Sequence, residues 1–195
     1  MTYADYIRLA DLPQRHAQSK LATGPQYSEW NDTLRRLALE LGTGCVIGLH
    51  GSRGVGKTQM AVQLCKARCK QESETENPNP YVVPALYCRA IQFFMAIKAT
   101  YRPDAAETED EVIRRYTRPL LLVIDEAHER PESTWAASLL TTMIDIRYAA
   151  PGHDTIILAN CQTAEEFAAL LGPSATSRAQ EAGGFVDCSA WGSFR

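Results

Sequence analysis

The chain has 195 residues, which is enough for one α/β domain with a filled core but short for two. Apolar residues make up 45% and charged residues 22%, and the net charge of −3 means that no protein-wide basic field attracts nucleic acid. No run approaches the roughly 18 consecutive apolar residues of a membrane span, and the start carries acidic residues, unlike a signal peptide. We therefore expect no membrane partner and a cytoplasmic location.

The first part of the chain predicts one irregular segment followed by helices and strands. Residues 1–27 have a mixed composition with turn-forming prolines and glycines, so we expect a mostly irregular N-terminal segment. Leucine spacing predicts a helix over 28–41, and the apolar run 45–49 predicts a buried strand. A second helix is predicted over 57–71, and the polar, proline-containing stretch 72–80 is typical of a surface loop.

The second part continues the alternation of strands and helices. Strands are predicted at 83–88, 119–128, 155–160 and 185–189. Helices are predicted at 90–101, 110–116, 132–148, 163–171 and 174–182. Because parallel strands need long crossovers between them, this pattern predicts a three-layer α/β domain over 28–195 with a five-stranded parallel sheet.

One glycine-rich segment carries the most specific motif. Residues 51–58, GSRGVGKT, fit the pattern G-x-x-x-x-G-K-[ST] of the P-loop NTPase class, and the predicted strand and helix around them argue against an ordinary glycine-rich turn. The glycines let main-chain N–H groups face one anion, and the following helix adds its positive end. Lys57 would contact the β and γ phosphates of ATP, and the Thr58 hydroxyl would bind Mg²⁺. The predicted ATP-binding residues are Gly51, Ser52, Arg53, Gly54, Val55, Gly56, Lys57 and Thr58.

Two acidic residues end the most apolar predicted strand. Ligands of a parallel sheet bind outside the carboxyl ends of its strands. Asp125 would therefore hold Mg²⁺, and Glu126 would act as a base toward the attacking water. The alternative is a helix N-cap, but the nearby P-loop motif favours the catalytic interpretation. Residues 125–128 also spell the DEAH of a helicase family, yet 195 residues cannot hold the two lobes of such a motor, so His128 is expected to be a loop residue.

Together these motifs resemble AAA+ ATPases of the DnaC/IstB family, which includes bacterial helicase loaders and transposition helper ATPases. The resemblance runs from about residue 12 to residue 195, and several segments besides the P-loop carry it. These are LPQRH at 12–16, LLVIDEAH at 121–128, IDIRY at 144–148, TIILAN at 155–160, LG through SR at 171–178 and WGSFR at 191–195. The resemblance implies an AAA+ ATPase domain over 28–195 that lacks a full C-terminal lid.

The same resemblance assigns roles to four polar residues. Asn160 matches the sensor-1 residue, and its alternative role is to cap the next turn. Arg178 matches the arginine finger that completes a neighbouring subunit's site, which implies a homo-oligomer; the alternative is a solvated surface residue. Arg195 matches sensor 2, although it stands at the chain end, which frays readily. Arg147 is either a second trans-acting group or a salt-bridge partner at the edge of the core.

The resemblance also implies partners. These are DNA and either a replicative helicase, which we favour, or a transposase. The chain departs from helicase loaders because only the short segment 1–27 precedes the first predicted helix, where loaders carry a separate N-terminal domain. Two other functions stay open: a nucleotide-controlled assembly scaffold with little turnover, and a small nucleotide kinase, for which we find no arginine-rich lid.

One stretch after the second predicted strand mixes aromatic and basic residues. Aromatic rings stack on bases, and Lys and Arg neutralise phosphates. The candidate DNA contacts are Lys98, Tyr101 and Arg102. Phe93 and Phe94 lie in the same stretch, but their helical spacing is more typical of core residues.

The cysteines do not predict a metal site or disulfides. They form no C-x-x-C pair, and several lie within apolar runs, where Cys acts as a small apolar residue. We expect reduced, structural thiols at Cys45, Cys65, Cys69, Cys88, Cys161 and Cys188.

Overall fold

A parallel sheet organises the chain. The computed structural model describes residues 1–20, 23–76, 79 and 81–191. Within these residues the strands are β1 (Val46–His50), β2 (Ala85–Arg89), β3 (Leu121–Asp125), β4 (Asp154–Ala159) and β5 (Gly183–Asp187). They pair in parallel in the order β2-β3-β4-β1-β5. The predicted five-stranded parallel sheet is confirmed; the insertion of β4 between β3 and β1 was not predicted.

Helices cover both faces of this sheet. In the described part of the chain they are α1 (Tyr3–Leu9), α2 (Gln14–Ala17), α3 (Ser28–Glu40), α4 (Lys57–Ser73), α5 (Ala90–Ala99), α6 (Glu109–Thr117), α7 (Thr134–Tyr148), α8 (Ala164–Leu171) and α9 (Pro173–Ala182). One apolar cluster joins α1, α3 and α4 to one face, and a second joins α5 through α9 to the other. The predicted three-layer arrangement is therefore confirmed.

Strand side chains alternate between the two clusters, as a pleated strand requires. In β1, Ile47 and Leu49 lie in the cluster with α4, whereas Val46 lies in the opposite cluster. In β4, Ile156 and Ile157 divide in the same way. Burial on both faces explains why the central strands were recognisable as nearly continuous apolar runs.

The N-terminal segment contains helices, so the prediction of a mostly irregular segment over 1–27 was wrong. The Thr2 hydroxyl accepts a hydrogen bond from the Asp5 N–H at 3.3 Å, and the Asp5 carboxylate accepts one from the Thr2 N–H at 3.0 Å, which caps α1. Tyr6 and Ala10 are fully buried in the cluster with α4. So short a helix is marginal alone and depends on this tertiary burial, which local periodicity does not reveal. The domain boundary at residue 28 stays a prediction.

A buried arginine ties together the amino ends of β3 and β4. Arg147 is 1% exposed, and its Nε donates to the Thr155 hydroxyl at 2.9 Å. Its remaining hydrogen bonds go to the carbonyls of Tyr116, Thr117, Pro119, Leu120 and Asp154. Burial lowers the pKa of this guanidinium to about 10. The structure supports neither alternative for Arg147, because the side chain is inaccessible to a neighbouring subunit and binds carbonyls rather than a carboxylate.

Asp154 is a buried hydrogen-bond acceptor at the same end of the sheet. It is fully buried at the start of β4. Its carboxylate accepts the main-chain N–H groups of Gly42 at 2.7 Å, Gly44 at 3.0 Å and Cys45 at 3.1 Å. The carboxylate thereby fixes the entry of the chain into β1, and the sequence analysis did not single it out.

Candidate functional site

Glycines shape the loop between β1 and α4. Gly51, Gly54 and Gly56 have φ angles of 136°, 91° and 91°, a region that other residues rarely adopt. A Cβ on Gly51 would also meet the Ser189 nitrogen at 3.3 Å. The loop leads directly into the 17-residue helix α4, which begins at Lys57. A glycine loop backed by a helix N-terminus is the arrangement that phosphate sites use.

Lys57 is held over this loop by oxygen atoms. The residue is 7% exposed, and its Nζ donates to the Gly51 carbonyl at 2.7 Å, the Ser52 carbonyl at 2.9 Å and Asn160 Oδ1 at 3.0 Å. Burial lowers the pKa of the ammonium, and the nearby Asp125 carboxylate opposes that shift. None of the three acceptors is charged, so the ammonium can turn to an anion in the loop without leaving a carboxylate unpaired.

Thr58 and Asp125 meet across the gap between α4 and β3. The Thr58 hydroxyl donates to Asp125 Oδ2 at 2.8 Å, and the buried Tyr87 hydroxyl donates to the same oxygen at 2.5 Å. The Glu126 N–H donates to Asp125 Oδ1 at 2.7 Å. Both carboxylate oxygens are thus oriented by the protein.

These two residues fit the predicted Mg²⁺. Their contacting atoms are a hydroxyl oxygen and a carboxylate oxygen, the hard ligands that this cation prefers. Among the described residues, no group of three or more His, Cys, Asp and Glu side chains is placed to hold a metal ion. A small protein donor set suits Mg²⁺, which usually combines one or two carboxylates with water and substrate phosphates.

Glu126 sits in a strained, partly buried position beside this pair. Its φ of 54° is left-handed, which is uncommon for a residue with a side chain. Its Oε2 is buried, accepts no hydrogen bond within the described part of the chain, and lies 3.9 Å from Arg89 Nη1. Burial raises the pKa of this carboxyl, with Glu129 and Asp125 adding to the rise and Arg89 opposing it. A carboxylate with a raised pKa is a stronger proton acceptor than an exposed one.

Asn160 follows β4 and lies between the P-loop and the acidic strand end. The inserted position of β4 brings it there, and it contacts Lys57 on one side and His128 on the other. Its N–H donates to His128 Nδ1 at 3.3 Å, and its Nδ2 lies 3.1 Å from His128 Nε2. His128 occupies the 3₁₀ turn Ala127–Glu129. His128 was predicted to be a loop residue, and its contact with Asn160 was not predicted.

Lys57, Thr58, Asp125, Glu126 and Asn160 line one cavity of about 690 Å³. The N-terminal segment contributes its second wall, a contribution that the sequence analysis missed. That wall is formed by Arg15, His16, Ser19 and Lys20. His16 Nδ1 lies 3.0 Å from Gln59 Oε1, and Lys66 Nζ donates to the Ala17 carbonyl at 2.7 Å, so α2 is attached to α4. The segment LPQRH was recognised as part of the family pattern, but nothing local indicated that it faces the cavity.

Of the two predicted arginines, Arg178 does not line this cavity. Arg178 lies on α9, where its Nε is 3.4 Å from Asp145 Oδ1 and its guanidinium stands 5.0 Å from the ring centre of Tyr148. Its side chain is 35% exposed, so it can reach another molecule. Arg195 lies outside the described residues. The roles assigned to both arginines stay predictions.

The candidate DNA contacts lie at the end of α5 and beyond it. Lys98, Tyr101 and Arg102 are exposed. Lys98 Nζ stands 5.9 Å from the ring centre of Trp135, and the Tyr101 and Trp135 rings are 6.5 Å apart. Trp135, on α7, was not predicted to belong to this patch. Phe93 and Phe94 are buried in the core, as their spacing indicated.

The structure also bears on two expectations from composition. All six cysteines are buried and carry free thiols. No helix in the described ranges has both the length and the apolar character needed to cross a membrane. The cytoplasmic location stays a prediction.

Comparison with solved structures extends the fold assignment. No family model matches this chain, and no curated protein matches it. The structure is similar to the DnaC helicase loader, with a TM-score of 0.66 and 19% identity over 90% of this chain and 99% of that one. It is similar to DnaI, with a TM-score of 0.64 and 16% identity over 93% of this chain and 97% of that one.

A third similar structure is larger. It is the replication initiator DnaA bound to AMPPCP and single-stranded DNA, with a TM-score of 0.66 and 16% identity over 91% of this chain. The chain spans half the length of that initiator, and also half of a DNA replication initiation factor. At these identities the likeness shows the fold. The chain therefore has the α/β fold of the AAA+ cores found in DnaC and DnaA.

Proposed function

We propose that this chain is an AAA+ ATPase that assembles as a homo-oligomer on DNA and loads or regulates a partner there, with a replicative helicase favoured over a transposase. The observation that carries the proposal is the convergence of Lys57, Thr58, Asp125, Glu126 and Asn160 on one cavity. Lys57 and Thr58 begin α4, which follows β1. The other three lie at or just after the carboxyl ends of β3 and β4, where parallel sheets bind ligands. The structural likeness to a helicase loader and a replication initiator supports a role in replication.

Each residue has a definite task in ATP hydrolysis. Lys57 exchanges the carbonyls of its own loop for the β and γ phosphates. Thr58 and Asp125 would hold Mg²⁺, which would neutralise charge on the phosphate oxygens. The Glu126 carboxylate accepts a proton from the attacking water, whose oxygen bonds to the γ phosphorus as the bond to ADP breaks. Asn160 orients that water or a phosphate oxygen.

The position of Arg178 supports assembly. The side chain lies away from its own cavity, and its partner Asp145 is itself partly exposed, so the pair can open for a neighbouring subunit. An arginine supplied from a neighbour would stabilise the charge that develops on the phosphates. Arg178→Ala is then expected to abolish hydrolysis in the assembled state while leaving ATP binding intact.

The patch of Lys98, Tyr101, Arg102 and Trp135 supports DNA binding. Two exposed cations beside two accessible rings suit a single strand, in which bases can stack and phosphates can be neutralised. Replacement of Tyr101 by Ala is expected to weaken single-stranded DNA binding by about 1–3 kcal/mol. Fluorescence anisotropy with a labelled oligonucleotide measures this change, and Tyr81→Ala is the exposed control.

One experiment tests the core of the proposal. ATP binding, phosphate release and molecular mass are measured for the wild type and for Lys57→Ala, with and without DNA. We expect the wild type to bind ATP, enlarge with ATP and hydrolyse it faster with DNA, and Lys57→Ala to lose ATP binding. Lys70→Ala, at the exposed end of the same helix, is the matched control. A wild type that stays monomeric and releases no phosphate contradicts the proposal.

A second function has one observation in its favour. Arg89 faces the Glu126 carboxylate at 3.9 Å and competes with water for it, which would favour a nucleotide-controlled scaffold with little turnover. ATP-dependent assembly without phosphate release, with or without DNA, would select this second function. Pull-down of the ATP-bound chain against a replicative helicase and a transposase then distinguishes the two partners.

A further inference from the structure

His128 and Asn160 contact each other at two points. The first joins the Asn160 main-chain N–H to His128 Nδ1 at 3.3 Å, and the second joins the side-chain Nδ2 to Nε2 at 3.1 Å. His128 lies in the 3₁₀ turn Ala127–Glu129, next to the fully buried Ala127. The two residues stand 32 positions apart in sequence, so the contact exists only through the order of β3 and β4.

The hydrogen-bond donors and acceptors of this contact do not all match. A main-chain N–H always donates, so Nδ1 is the acceptor, and a neutral imidazole then carries its one hydrogen on Nε2. That Nε2–H faces the NH₂ group of Asn160, so two donors meet at 3.1 Å. Glu129 Oε1 lies 4.0 Å from Nε2, beyond hydrogen-bond distance, and the Asn160 side-chain oxygen accepts from Lys57 Nζ at 3.0 Å. His128 and Lys57 therefore compete for one oxygen.

We propose that His128 is a positioning residue that turns the Asn160 carboxamide so that its NH₂ group faces the phosphates, an inference that rests on the proposed ATPase function. When Lys57 turns to the phosphates it releases the Asn160 oxygen. A half-turn of the carboxamide then brings this oxygen to His128 Nε2–H and moves the NH₂ group to the space that Lys57 occupied. Every donor is now paired, because the NH₂ group can donate to a phosphate oxygen or to the attacking water. The phosphate oxygens repel the Asn160 side-chain oxygen. Without His128, no hydrogen-bond donor holds that oxygen on the side away from the phosphates.

Three variants at one position test this inference. His128→Ala removes both ring nitrogens, so we expect kcat for ATP hydrolysis to fall on the order of tenfold, as for other residues that orient a catalytic group. The Kd for ATP should change by less than about twofold, because His128 does not line the cavity and the phosphates are bound by the glycine loop and Lys57. Gln carries an N–H donor about where Nε2 lies and should restore most of kcat, whereas Asn carries its amide where Nδ1 lies and should not. His153→Ala, in the loop before β4, is the matched control and should keep the wild-type rate.

A double-mutant cycle shows whether His128 acts through Asn160. In an Asn160→Ala background, His128→Ala should change kcat by less than about twofold, because its target is already gone. Full additivity of the two losses, wild-type kcat in His128→Ala, or equal rescue by Gln and Asn would each overturn the inference.

A measurement without turnover separates this inference from the proposed function. The ¹⁵N chemical shifts of the His128 ring, recorded with AMPPCP and Mg²⁺, report which nitrogen carries the hydrogen. We expect the hydrogen on Nε2, and a hydrogen on Nδ1 would overturn the inference. A wild type that hydrolyses no ATP would contradict the proposed function, and the ring spectrum would still test the tautomer of His128 that this inference requires.

Discussion

The two ends of the sheet both bury polar side chains, but the partners of those side chains differ. At the amino ends of β3 and β4, Arg147 and Asp154 direct their hydrogen bonds to main-chain groups of fixed segments and, for one bond of Arg147, to the Thr155 hydroxyl. At the carboxyl ends, Lys57 is held by carbonyls of its own glycine loop and by one amide, and a buried oxygen of Glu126 accepts no hydrogen bond within the described residues.

Burial alone therefore does not distinguish a structural charge from a functional one. A buried charge whose partners are all fixed groups of the fold cannot move without leaving those groups unpaired, which is costly. A buried charge with replaceable or missing partners keeps bonding capacity for a ligand. By this criterion the carboxyl end of the sheet is the end able to bind a ligand, as the proposed function requires, and substitutions at the two ends should affect different measurements.

The largest effect is expected at the carboxyl end. Glu126→Gln removes the proposed base at constant shape, so ATP hydrolysis should fall by about 10²- to 10⁴-fold. ATP binding and the free energy of unfolding should stay near wild type, because burial already disfavours the charged form of this carboxyl. Phosphate-release kinetics and an ATP titration check both statements. Glu132→Gln, on the exposed stretch before α7, is the control, and equal rates in wild type and Glu126→Gln would exclude the base role.

The opposite pattern is expected at Arg147. Arg147→Met strands several buried carbonyls, and each stranded group costs about 1–3 kcal/mol, so the free energy of unfolding should fall by about 3 kcal/mol or more. Urea denaturation followed by circular dichroism measures the loss. Arg178→Met is the matched control, because its partly exposed ion pair should contribute less than about 1 kcal/mol. Equal losses in the two variants would remove the distinction between them.

A smaller loss is expected from Asp154→Asn. One side-chain oxygen is replaced by an NH₂ group that faces main-chain N–H donors, so at least one buried hydrogen bond is lost. We expect the free energy of unfolding to fall by about 2 kcal/mol. The exposed Asp104→Asn is the control in the same denaturation assay, and ATP binding by the folded fraction of Asp154→Asn should be unchanged.

The smallest effect is expected at Tyr87, which links the interior of the sheet to its carboxyl end. Tyr87→Phe removes one donor from Asp125 but leaves those from Thr58 and Glu126, so the stability loss should be about 1 kcal/mol. The Mg²⁺ concentration for half-maximal hydrolysis should rise by about tenfold, because an orienting hydrogen bond is lost. A magnesium titration of the rate tests this. An unchanged midpoint, as expected for the exposed Tyr81→Phe, would exclude an orienting role.

Local sequence patterns predicted much of the fold, but they did not predict the helices of the N-terminal segment. The apolar runs at β1, β3 and β4 predicted buried strands, because a strand covered on both faces needs apolar side chains in both directions. Helix α1 was missed because its stability comes from Tyr6 and Ala10 entering a core built by distant residues. Its capping box was present in the sequence as Thr2 and Asp5 but stood before no long apolar period.

Some residues of the candidate site were likewise predicted from local patterns, and others were not. Lys57, Thr58 and Asp125 were recognised because their spacing within a motif reflects backbone geometry. His128 and Trp135 were missed because their partners come from other elements, and no spacing along the chain encodes that distance. Arg147 lies in a segment that resembles the family pattern, but its burial depends on how α7 lies across the starts of β3 and β4.

By itself the sequence determined the glycine loop with its lysine and threonine, the acidic end of β3 and the five-stranded α/β architecture, because each depends on contacts within a few residues or on periodicity. Only the tertiary structure decided which polar side chains are saturated and which remain able to bind. That outcome depends on strand order: with β4 between β3 and β1, Asn160 stands between Lys57 and His128 at the carboxyl end, while Arg147 and Asp154 are enclosed at the amino end.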